Sequence, residues 1–457
     1  MRRLAIFKAI TPILTVLCGW QFGLGAAFAQ ESTGNQQASR SALEPTASTP
    51  LSTSFAGQAI EPTTALTLRA AIELALSNNA DLMIAAREIE AIEGQVLQAQ
   101  TRPNPELSYL LEDTQRATRT TTLQLNLPIE MGGKRAARIE AAQRGRDSVI
   151  AELATRRAEI RATVTAAFFD VLSGQERVAL AQDSVDLAKR ATDAAAKRVS
   201  AGKVSPVEES KARVAEAGVR VELAQAQSEL RNARQRLASL WANATPRFTR
   251  VDGQIDTLPS VPDTQAIEQR ITDSPHLKRA QMEVQRRRAL VEVERARRIP
   301  DVTVSMGAKR AEELGRNQIL LGVSVPLPFF DRNQGNLLEA LKREDKSRDE
   351  LLAIRIRLNT DVLQARERLS AGRSEIEILQ REVLPGAKSA YDAATTGFEF
   401  GKFNFLEVLD AQRTYFQAKS QYLKALAEAH RAAAEIDRLL GDQHSAVTHP
   451  AHSLLKP

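Results

Sequence analysis

Glu407 and Asp410 stand three residues apart, a spacing that puts both carboxylates on one face of a helix. Such a pair attracts cations, and by itself it reads either as a cation-collecting patch or as part of an ordinary solvated face. Little other chemistry is on offer. The histidines are His276, His430, His444, His449 and His452, and the spacings of five and three in the last three are poor ligand geometry. No nucleophile beside a base, phosphate-cradling glycine loop or His/Cys cluster occurs, so neither an enzyme nor a bound cofactor or metal is expected. The formal charge of +6 falls to +3 without Arg2, Arg3 and Lys8, too little to suggest a nucleic-acid partner.

Those three basic residues open a secretory leader. An apolar run from Ile10 to Phe28 follows, and Ala27-Phe28-Ala29 is a small-x-small cleavage site, which predicts a signal peptide over 1–29 and a mature start at Gln30. Cys18, the one cysteine, lies inside that run, so the exported chain is expected to have no disulfide. The alternative is a lipidated Cys18, but Leu17 stands where a small residue is required. No later apolar run is long enough for a transmembrane helix, which leaves an exported soluble protein or a β-barrel.

Two copies of one unit carry the rest of the chain. Gly202-Lys203 with Glu208 recurs as Gly401-Lys402 with Glu407, a period of 199 (401 − 202), and Pro128 recurs as Pro326, a period of 198 (326 − 128). The expected domains are a flexible linker over 30–65, a first repeat over 66–241, an inter-repeat linker over 242–262, a second repeat over 263–441 and a disordered tail over 442–457. A first helix is expected from near Thr67 to Gln100, and its equivalent from Asp263 to Arg298.

Long helices follow the strands in each copy. Ile160, Val164, Ala167, Val171, Gly174, Val178, Ala181, Val185 and Ala188 step by four and three, the mark of a coiled-coil seam. Val362, Ala365, Leu369, Gly372, Ile376, Leu379, Val383 and Gly386 repeat it at an offset of 198 (362 − 164), predicting two matching seams. A helix from Lys134 to Ser200 would be about 100 Å long at 1.5 Å per residue. Gly202 and Gly401 suit a C-terminal cap and Pro206 the first turn of a returning helix, so each copy should end in an antiparallel hairpin.

Four alternating segments, about 105–113, 120–128, 301–309 and 318–327, are long enough to cross a bilayer as tilted strands. The alternative is a soluble four-stranded sheet capping the helices. Barrels begin at about eight strands, so four strands in lipid require self-assembly, and three copies would supply twelve. The expected fold class is therefore mainly α with a small β part: a duplicated unit of long coiled-coil helices plus four strands per chain.

Gly401-Lys402-Phe403-Asn404-Phe405-Leu406-Glu407-Val408-Leu409-Asp410-Ala411 resembles the tip segment of TolC-family outer-membrane factors. Leu127-Pro128-Ile129-Glu130-Met131-Gly132-Gly133-Lys134-Arg135 is similar to the strand-to-helix junction of the cobalt-zinc-cadmium branch, with Pro326 and Pro328 at the second junction. The likeness spans about residues 66–441. It implies a homotrimer with a twelve-stranded barrel in outer-membrane lipid, a helical tunnel in the periplasm of a Gram-negative cell, a periplasmic adaptor and an inner-membrane RND-type pump. It also implies an acidic constriction at Glu407 and Asp410, whose first-copy equivalents are Glu208 and Lys211. The adaptor-contacting tips would be Gly202, Lys203, Ser205 and Pro206 with Gly401, Lys402, Phe403 and Phe405. Heavy-metal export is the implied function; a duct for drugs or secreted proteins and a coiled-coil scaffold are the alternatives.

Overall fold

A computed structural model describes residues 60–400, 402–403 and 405–441, with side chains at all of these except 399, 405 and 406, and every one falls in one structural unit. The expected leader with Cys18, linker residues 30–59, Gly401 and the tail 442–457 lie outside the described residues. In chain order the elements are β1 (Ala65–Thr67), α1 (Leu68–Asn78), α2 (Ala80–Gln100), β2 (Glu106–Glu112), β3 (Thr120–Ile129), α3 (Lys134–Ser200) and α4 (Pro206–Ser239). After them come β4 (Arg250–Asp252), α5 (Thr264–Asp273), α6 (Pro275–Ala296), β5 (Val302–Ala311), β6 (Arg316–Ser324), α7 (Gln334–Ile378), α8 (Leu384–Glu399) and α9 (Phe405–Leu440).

The single helices expected before the strands are each two. Asn79 leaves helical geometry at ψ 129°, and its side chain accepts the amides of Asp81 and Leu82, capping α2. Ser274 does the same for α6 by accepting the Leu277 amide at 3.2 Å. Both breaks let α1 and α5 fold back over the middle of the molecule.

That middle holds the main core, and the two stretches expected as linkers contribute to it. β1 and β4 form a small parallel sheet, with Leu66 opposite Val251. Phe248, Val251 and Ile255 of the inter-repeat segment are buried with Phe168 and Leu172 of α3, Leu237 and Trp241. Glu61 is buried as well. Its carboxylate accepts from Trp241 Nε1 at 3.1 Å and from the amides of Arg247 at 2.6 Å and Phe248 at 3.2 Å. Three-residue strands carry no period, so nothing in the pattern of the linkers exposes this anchoring.

α3 runs alongside α2, α4, α6 and α9, and α7 alongside α6 and α9. The seam places Val164, Val171 and Ala188 in the interior of α3 and Val362, Ala365, Leu369, Ile376 and Leu379 in that of α7 and its continuation. Val383 and Gly386, expected on the second seam, are exposed. A π turn over Leu379–Val383 joins α7 to α8 and is the reason. One extra residue in a helical turn rotates everything below it, and Pro385, which has no N–H to donate, follows at once. Beyond the turn the offset between copies is 199: Ala394 is buried as Ala195 is (394 − 195). The two seams thus agree at 198 only as far as Leu379, and the shift to 199 lies in the π turn rather than at the tip.

Candidate channel wall and entrance

The four long strands form one antiparallel sheet in the order β2-β3-β5-β6. β6 ends at Ser324, short of the expected 327, before Pro326. Pairing of Tyr109 with Leu123, Leu123 with Ala308, Leu125 with Met306, and Met306 with Leu321 puts the alternating apolar residues of all four strands on one face. The opposite face carries Ser108, Thr122, Gln124, Asn126, Ser305 and Ser324.

Burial runs opposite to that of a sheet capping a soluble protein. Tyr109 is 65% exposed, Ile319 84% and Leu321 80%, whereas Gln124, Asn126 and Ser305 are half-buried. A soluble sheet would turn Leu107, Leu125, Leu127, Val304 and Val323 onto the helices; here they face outward across the full width. The outward side chains are apolar, as on the lipid face of a membrane barrel, and the polar ones line the concealed face.

Both strand-to-helix junctions are held by backbone shape. Pro128 is within β3, opposite Thr303. Gly132 has φ +67°, and a Cβ there would come within 2.6 Å of Ile299 Cβ, so only glycine fits. Gly133, at φ +72°, precedes the first turn of α3. Asp301 closes the joint by accepting the Met131 amide at 3.0 Å and pairing with Lys134 Nζ at 2.8 Å. Burial pushes the Asp301 carboxyl up, but Lys134, the Met131 amide and Arg138 together hold it below the usual aspartate range. The second junction has no such glycine pair. After Pro326 and Pro328, Asn333 takes the left-handed position at φ 57°, its amide donating to the Glu294 carbonyl at 2.9 Å.

At the far end α3 closes in a helix cap in which Gly202, at φ +67°, donates to Val199 O and Lys203 to Arg198 O, both at 2.9 Å. Ser205 caps α4 by accepting the Val207 amide at 3.3 Å, and Pro206 begins the helix. The second tip repeats the long closing bond, from Lys402 N to Gly397 O at 2.8 Å. Phe403 lies over Gly397, where a Cβ would meet its ring, so this phenylalanine packs across its own turn. Gly401 lies outside the described residues, as does the Phe405 side chain.

Glu407 and Asp410 are both exposed at the start of α9, while Val408 is buried and Leu409 packs beside Ala195 and Ala212. The two carboxylates thus share the exposed side of this turn, and Leu409 faces the first hairpin. Sequence reasoning missed the residue that joins the two tips. Arg198 donates to the Phe398 carbonyl at 3.0 Å and stands 4.2 Å over its ring.

The family model described as outer membrane efflux protein matches residues 71–243 and again 266–442, one match for each copy. The chain belongs to this family. It is 49% identical over 376 residues to the cobalt-zinc-cadmium resistance protein CzcC of Cupriavidus metallidurans, covering 82% of this chain and 90% of that one. Its fold is that of a membrane protein from Pseudomonas aeruginosa (TM-score 0.72, 21% identity, 82% of this chain and 92% of the other). It is also that of the open-state MtrE outer membrane channel of Neisseria gonorrhoeae (TM-score 0.70, 19% identity, 82% and 88%).

As an outer membrane efflux protein the chain resides in the outer membrane, with its helices forming a tunnel in the periplasm. The outward apolar face of the sheet is then the lipid-facing surface. No helix among the described residues is long and apolar enough to cross a membrane. A family of transport components also accounts for a chain whose conspicuous features are surfaces rather than reactive clusters.

Proposed function

We propose that this protein is the outer-membrane channel of a tripartite system that exports divalent heavy-metal cations of the cobalt, zinc, cadmium and nickel type. The observation that carries the reading is the 49% identity to a cobalt-zinc-cadmium resistance protein over 90% of that protein's length. Three copies close a twelve-stranded barrel, since four strands cannot enclose a lumen. An inner-membrane RND-type pump supplies energy and a periplasmic adaptor docks at the tips around Gly202, Lys203, Ser205, Pro206, Gly401, Lys402, Phe403 and Phe405. The channel performs no chemistry on its cargo.

Glu407 and Asp410 form the acidic constriction. A threefold axis brings six carboxylates to one narrow entrance, where they raise the local cation concentration and repel one another. Their exposure beside the buried Val408 supports this role. A deletion strain tests the metal reading: tolerance to zinc, cobalt, cadmium and nickel should fall and return with the intact gene. Unchanged metal tolerance with raised drug sensitivity would instead assign the channel to drug efflux.

A further inference from the structure

The two hairpins of the sheet are one piece of structure laid down twice. Pro103, Ser108 and Tyr109 align with Pro300, Ser305 and Met306 at an offset of 197 (306 − 109), and Pro128 with Pro326 at 198. Moving Met306 back by 197 and its partner Leu321 back by 198 lands on Tyr109 and Leu123, themselves a pair. The register inside the two hairpins is therefore the same.

The hairpins meet where β3 lies beside β5, with Leu125 opposite Met306 and Leu127 opposite Val304. β2 and β6 are the outer strands, each laddered on one side only among the described residues. β6 is the equivalent of β3, and β2 that of β5. We infer that β6 of one copy pairs antiparallel with β2 of a second copy in the register of the internal joint, Val323 opposite Tyr109 and Val325 opposite Leu107. This inference rests on the trimeric-channel reading and specifies how its copies join.

Three observations support that register. First, it keeps faces consistent: Val323, Tyr109 and Leu107 belong to the apolar face, which Val325 continues in sequence just past β6, and Ser324 meets Ser108 on the polar one. A slip of one residue would turn polar side chains to lipid, so the competitors are slips of two.

Second, the glycines complement one another. At the internal joint Gln124 is opposite Gly307, where a Cβ would lie 2.5 Å from the Leu123 carbonyl oxygen. At the equivalent place between copies the glycine is on the other strand, Gly322 opposite Leu110. Within its own chain Gly322 is not crowded, since a Cβ there would meet only Ser305 at 3.7 Å. A larger neighbour from the next copy gives that glycine a purpose.

Third, the geometry closes. Crossing from Tyr109 through Leu123 reaches Ala308, two residues beyond Met306, the equivalent of Tyr109. Six hairpins each advancing two residues, at 3.3 Å rise and about 4.8 Å between strands, give a tilt of about 35°, a value such barrels adopt.

Paired cysteines read the register directly, because opposite positions of antiparallel strands fall within disulfide reach and diagonal ones do not. In a Cys18→Ala background, Val323→Cys is combined in turn with Leu107→Cys, Tyr109→Cys or Leu111→Cys, and each single variant is the control for assembly. Oxidised outer membranes should give covalent dimers and trimers at least tenfold more strongly with Tyr109→Cys than with the other two. A maximum at Leu107→Cys or Leu111→Cys would overturn the register while leaving the trimer intact. Heat-modifiable trimers without a cross-link at any of the three would also overturn it. If no variant, nor the Cys18→Ala parent, forms a heat-modifiable oligomer, the trimeric reading itself fails.

Discussion

His430 is the described histidine with a defined structural task. It stacks on Phe169 with ring centroids 3.6 Å apart and donates through Nε2 to the Ile255 carbonyl at 2.9 Å, joining α9, α3 and the inter-repeat segment. Burial lowers its pKa below the ordinary 6.5, although the bond to Ile255 pulls upward. The unfolded chain therefore binds the proton more readily. The contribution to stability is fully present above about pH 6.5 and is lost as the pH falls towards the folded value. The melting temperature should drop on going from about pH 7 to about pH 5, and His430→Phe, which keeps the stack without the titration, should flatten that slope. At the proposed entrance, Glu407→Gln with Asp410→Asn should leave assembly intact. It should lower the cation-to-anion permeability ratio by about two- to tenfold at low salt, an effect that fades as salt screens the ring. That Glu407 and Asp410 share one exposed helix face was legible, because a spacing of three fixes it. Arg198 was not, because its partner Phe398 is two hundred residues away (398 − 198) and nothing local marks it.

The π turn breaks the long rod of the second copy where α3 of the first runs without interruption. Deleting Val383 should remove the extra residue of the π turn and rotate the segment below by about 100°. Phe398 would leave Arg198, and Ala394 would leave the interior. Trimer yield and heat stability should stay near wild type while metal tolerance falls to that of the deletion strain; tolerance kept at wild-type level would show that the turn does not orient the tip. The rods and strands were readable because periods of three and four, and of two, persist over many residues. The π turn was hidden by the same regularity: Val383 and Gly386 continue the stepping although they are exposed. The usable signals were Pro385 and the change of offset from 198 to 199. Asn79 and Ser274 also stood open to sequence reasoning, since Asn and Ser are preferred helix caps. β1 and β4, three residues each, carried no pattern of their own.

On the scale of the molecule, the described residues leave a wide apolar sheet face exposed and the outer edges of β2 and β6 without a ladder partner, while the interior is built mostly from helices packed side by side. In the proposed channel, lipid covers that face and further copies of the chain complete the edges. One hairpin and one rod are used twice per chain and six times in the proposed trimer, with the π turn and acidic pair confined to the second copy. The direct measurement is of the protein purified from outer membranes with detergent and placed in a planar bilayer. A heat-modifiable trimer giving cation-selective conductance steps is expected. A monomer released from the periplasm without detergent, and silent in the bilayer, would contradict the account.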